Sequence, residues 1–140
     1  MANALYPLWK LQLYSFTSNN NLSNPSVVKV ALIDTANYTY NAAHQFYSSV
    51  PGAAVVGTPQ TIANKTFTIV SGSPVFNGDD VTFNSVTGAN VEALLIYIDT
   101  GTAGTSPLVA YIDSSVGGLP VTPNGGNIGI TWNADGIFAL

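Results

Sequence analysis

Residues 91–113, VEALLIYIDTGTAGTSPLVAYID, decide the fold. Two apolar runs, 91–98 and 108–112, flank a loop of Gly, Thr and Ser. Short runs rich in Ile, Val and Tyr, bounded by Gly, Pro and Asp, read as strands. Apart from Glu92 both runs are apolar at odd and even positions alike, so both strands should be covered on two faces and lie centrally. The loop between them has ordinary hairpin composition, which makes the two runs neighbours in one antiparallel hairpin. Both runs end in Tyr-Ile-Asp, but nothing else recurs at that spacing, and a stacked array needs about three copies.

The aspartates pose a chemical question. Asp99 and Asp113 close the two runs, and Asp34 closes a third, VALID at 30–34. In an antiparallel hairpin Asp99 lies at the loop end and Asp113 at the opposite end. Five or six residues at about 3.3 Å each separate them by roughly 15–20 Å. Paired carboxylates in acid–base catalysis stand roughly 5–10 Å apart. These two are therefore expected to start turns, where Asp bonds its own backbone, and not to share a site.

Outward from the hairpin, 27–33, 64–70, 80–86 and 127–132 carry the same strand signature. Ile128, Ile130 and Trp132 alternate with Gly129 and Thr131, as in a strand with one buried face. Asn77-Gly78 and Asn124-Gly125 are favoured turn pairs. One helix is expected at about 42–50, where Ala43, Phe46, Tyr47 and Val50 fall at helical spacing between Asn41 and Pro51-Gly52. The fold class is thus mainly β, a two-sheet sandwich with one short helix, occupying residues 26–140 as a single domain. Residues 1–25 are ambiguous. Pro7 suits a first helical turn, yet Trp9, Leu11 and Leu13 alternate as in a strand. The segment is either an arm that reaches a neighbour through Leu5, Tyr6, Leu8, Trp9, Leu11 and Leu13, or a part of the domain's own core.

Composition excludes several functions. Only 7% of the 140 residues are charged, with three Lys, no Arg and seven acids, against about 25% in an ordinary domain. Three cations neutralise few phosphates, so nucleic acid is not an expected partner. No Cys is present, which removes disulfides and thiolate chemistry. The start has no basic segment followed by a long apolar core, so no signal peptide is expected, and no apolar run nears the ~20 residues that span a membrane. His44 is the only histidine and cannot build a multi-His metal site. Asp79-Asp80 lacks the spaced acids of a calcium loop. No nucleophile elbow, phosphate loop or dinucleotide fingerprint occurs. The expectation is a protein without catalytic residues, metal or cofactor. Seven Tyr, two Trp and many Asn leave a carbohydrate-binding face as the alternative. With so few charges to guard sheet edges, either other chains cover much of them or the chain presents a neutral β surface of Thr and Asn.

The phrases VKVALIDTANYTYNAAHQFYSSVPG, VFNGDDVTFNSVTG and VEALLIYIDTG, followed by LVAYIDS and GLPVTPNGGNIGITWNADGIFAL, resemble a family of small virion proteins of tailed bacteriophages. The likeness runs from about residue 27 to the end, and capsid cement or decoration proteins fit it best. It implies a jelly-roll-like sandwich on the capsid surface of the virion. The implied partners are the major capsid protein and copies of itself, as a homotrimer. It transfers no catalytic residue. Under the alternative the chain is a tail- or fibre-associated β module that binds host-surface carbohydrate.

Overall fold

The computed structural model describes residues 3–15, 21–113 and 118–140. The chain is mainly β and sandwich-like, with ten strands in three antiparallel sheets and one α-helix among the described residues. In chain order these are β1 (Ala4–Leu5), α1 (Pro7–Ser15), β2 (Val27–Ile33), β3 (Val55–Thr61), β4 (Thr66–Val70) and β5 (Ser73–Asn77). Then follow β6 (Val81–Phe83), β7 (Ala93–Asp99), β8 (Leu108–Ile112), β9 (Ile128–Ile130) and β10 (Phe138–Ala139).

The five-stranded sheet has the order β1-β8-β7-β2-β3. β7 pairs with β8 as the sequence requires, with Leu94 opposite Ile112 and Tyr97 opposite Leu108. Every residue of β7 before Asp99 and every residue of β8 is buried. One face of this sheet lies under the 38–47 segment. Tyr47 stacks on Tyr97 with ring centroids 4.1 Å apart, while Tyr38 and Tyr40 tilt against Tyr111. Val81, Phe83, Ile128, Ile130 and Trp132 of the two-stranded β6-β9 region join the same hydrophobic core. The three-stranded sheet runs β10-β5-β4.

The expected helix at 42–50 does not form. Asn41 does cap a turn, its Oδ1 accepting from the Ala43 N–H at 2.9 Å. The chain then extends: Leu108 N–H donates to Gln45 O, Tyr47 N–H donates to Ser106 O, and Phe46 bridges Pro107. Only one 3₁₀ turn, Tyr47–Ser49, remains. So short a helix cannot nucleate alone, and bonds to β8 outweigh its propensity.

The single α-helix lies instead at Pro7–Ser15. Pro7 occupies the first helical position, where its missing N–H costs nothing, and Lys10 N–H bonds Tyr6 O. Trp9 is buried and meets Phe138 edge-on, with centroids 5.9 Å apart. Tyr6 is buried as well, its hydroxyl 2.8 Å from that of Tyr38. Of the two alternatives for residues 1–25, Tyr6 and Trp9 take the core one, and β1 closes part of the outer edge of β8.

Candidate docking surface

The carboxylates lie at the ends of strands. Asp99 accepts from the Gly101 N–H at 2.9 Å and pairs with Lys29 Nζ at 2.6 Å. These bonds hold its carboxyl below its usual pKa, the Lys29 bond first and the Gly101 bond next. Asp34 accepts from Ala36 N–H and from the Asn37 side chain. Both are turn-forming aspartates, as their sequence context requires.

Asp113 lies at the other end of the hairpin from Asp99, and there it shares a cleft with a different acid. Asp113, Glu92, Thr35, Thr39 and Tyr111 line one open cleft. Glu92 accepts both the backbone N–H and the hydroxyl of Thr35, at 3.0 and 3.2 Å. Burial, followed by the Asp113 carboxylate, pushes the Tyr111 hydroxyl up to about 12. Glu92 precedes β7 where Asp113 follows β8, so the antiparallel hairpin itself carries both to one end; what the sequence does not show is that Thr35 and Thr39 complete the cleft. No group of three or more His, Asp or Glu arranged to hold a metal occurs among the described residues.

The remaining polar candidates serve the fold. Asp80 Oδ1 accepts from Trp132 N–H, and Trp132 Nε1 donates to Asp79 O, both at 2.9 Å. Asp79 Oδ2 also accepts from Asn64 Nδ2 at 2.6 Å. This pair therefore ties the start of β6 to the strand-end Trp132. His44 Nδ1 lies 3.2 Å from the Tyr38 hydroxyl and its ring stacks on Tyr38, which secures the 38–47 segment.

Of the six apolar residues singled out near the N-terminus, Tyr6 and Trp9 are buried, while Leu5, Leu8 and Leu13 are half-buried. Leu11 alone of the six is exposed, at 62%, and Tyr14 one turn on is 87% exposed. Pro7, Lys10, Leu11 and Tyr14 share the outer stripe of α1. A surface helix normally gives that stripe to polar residues, and here Lys10 is its only charge.

A second apolar surface surrounds the β4–β5 hairpin. Phe67 and Ile69 are 51% and 69% exposed. With Phe76, Phe138, Leu22 and Leu140 they line an open groove of about 310 Å³. Sequence reasoning marks the strand at 64–70 but not its exposure, because an apolar alternation looks the same whether it faces a core or water.

No helix among the described residues is long and apolar enough to cross a membrane. No family model matches the chain, and no curated protein matches it.

Proposed function

We propose that this chain is a non-enzymatic structural protein of a virion, a capsid cement protein that binds the major capsid protein. In this reading it works as a homo-oligomer on the surface of the head shell. The observation that carries the reading is the outer stripe of α1. Leu11 and Tyr14 are held in water on a helix whose opposite side is anchored by Trp9. Exposed apolar side chains on a rigid element suit a partner surface better than solvent. The stripe carries one cation in a chain with three, so contact would be made by apolar and backbone groups. Such a contact is little weakened by salt, unlike one steered by charge.

The test is co-sedimentation with capsids that lack the protein. The wild type binds at low and at high salt alike. The double variant Leu11→Glu, Tyr14→Glu melts as the wild type does, since both positions are exposed, and no longer sediments with shells. Retained binding by the double variant, or binding abolished by salt, counts against the reading. On a glycan array the protein gives no specific signal; micromolar carbohydrate binding would favour the tail or fibre alternative.

A further inference from the structure

We infer that β4 pairs with β4 of a second copy of this chain, antiparallel, about a two-fold axis through Thr68. The inference is independent of the capsid reading. It begins with how the other edges of the two larger sheets are closed. The five-stranded sheet ends on one side in β1, only two residues long. On the other side it ends in β3. There Val30 pairs with Gln60 and Leu32 with Val56, so Gly57, Thr58 and Pro59 stand against Ala31 alone. Gly57 has φ +70°, and Pro59 offers no donor. Short strands, bulges and prolines are the uncharged means of blocking an edge. The three-stranded sheet ends on one side in β10, again two residues.

β4 has none of these devices. It is five residues of regular strand, Thr-Phe-Thr-Ile-Val, paired only with β5 among the described residues. No charged residue occurs from 66 to 78. The adjacent Lys65 is turned inward, its Nζ bonded to Ser26 O.

The direction of the free backbone groups follows from β5. Leu140 N–H donates to Pro74 O and Ile137 N–H donates to Phe76 O, so Pro74 and Phe76 direct their carbonyls toward β10. Their partners across the hairpin, Ile69 and Phe67, are then non-hydrogen-bonded pairs with β5. The N–H and C=O of Phe67 and Ile69 consequently face the open edge, and these two residues lie symmetrically about Thr68. A two-fold through Thr68 sets Phe67 opposite Ile69 of the second copy and Ile69 opposite its Phe67. Each such pair exchanges two backbone hydrogen bonds. Apolar side chains meet apolar ones on the groove face, Thr68 meets Thr68 on the other, and no like charges are brought together.

This self-complementarity favours a second copy over an unrelated strand as the occupant, since an isologous contact needs one strand to match itself. Three copies around a three-fold axis, the arrangement the family resemblance implies, would not set β4 against β4 of another copy as an isologous pair. The two symmetries are therefore separable by experiment.

The chain has no cysteine, so single-cysteine variants report on one position each. Thr68 would face its own copy as a non-hydrogen-bonded pair, with Cα atoms about 4.5 Å apart, within disulfide reach. Thr66 would face Val70. Thr68→Cys is expected to oxidise to a covalent dimer, and Thr66→Cys is expected to stay unlinked. The wild type is expected to sediment as a dimer. Ile69→Pro, which removes an outward N–H and spares the bonds to β5, weakens the dimer by about tenfold or more. A monomer at high concentration, a trimer or dimer in which Thr68→Cys does not cross-link, or equal cross-linking of both cysteine variants would each overturn the inference.

Discussion

Asp99 and Gly136 show how much single positions decide. Asp99 does not act with Asp113; it closes a turn and pairs with Lys29, both side chains about one quarter exposed. Its carboxyl ionises more easily in the folded chain than in the unfolded one. The stability this brings is complete above the ordinary value near 3.8 and is lost as pH falls through the lower folded value. Asp99→Asn should therefore melt below the wild type at pH 7 by an amount worth about 1 kcal/mol or less. That gap should close toward pH 3, and thermal melts across the range check it. Gly136 has φ +123°, and a Cβ there would lie 2.2 Å from Val75 Cγ1. Gly136→Ala combines a strained backbone with a clash, and it should cost about 2–4 kcal/mol in denaturant titration. Sequence placed the aspartates correctly at strand ends because their chemistry is local. It could not place Thr35 and Thr39 beside Glu92 and Asp113, because that depends on how a distant segment packs against the hairpin.

Among the elements, α1 carries the most weight for its length. Trp9 fills space against Phe138, and Trp9→Ala should destabilise by about 3–5 kcal/mol, read by chemical denaturation. Removing residues 3–15 should likewise give a chain that fails to fold, since β1, Tyr6 and Trp9 leave with it. A truncated protein that melts like the full chain would restore the view of this segment as a free arm. Strands with strong β-branched runs were legible, and β2 and β8 match their expected bounds to the residue. β3 and β5 were not, because Gly57, Pro59 and Pro74 break the pattern that identifies strands. The helix expected at 42–50 failed for the opposite reason: its apolar spacing was right, but the backbone there pairs with 106–108. The α1 outer stripe was half legible. Leu11 was marked, while Tyr14, the more exposed of the pair, was not, since sequence cannot tell which side of a short helix is covered.

For the whole molecule, the burial of tyrosines sets an alkaline limit. Tyr6, Tyr38, Tyr47, Tyr97 and Tyr111 are all raised above the ordinary value of 10, chiefly by burial. Their protonated packing is intact below pH 10, and its stability is lost as pH rises toward the folded values, because the unfolded chain ionises first. Tyrosinate absorbance from these rings should appear together with the loss of β circular dichroism. Gradual ionisation at pH 10 with the fold intact would show that the rings are solvated. The same scale holds the functional account. The fold hides most of its sheet edges without charge, and it leaves apolar groups in water on α1 and β4. Such a surface supports the proposal that other chains complete it. The most direct test is electron microscopy of intact virions assembled with this protein. The account predicts density for the domain on the outside of the head shell, with the α1 stripe against the major capsid protein. Density confined to the tail or its fibres, or a particle that contains none of the protein, would contradict it.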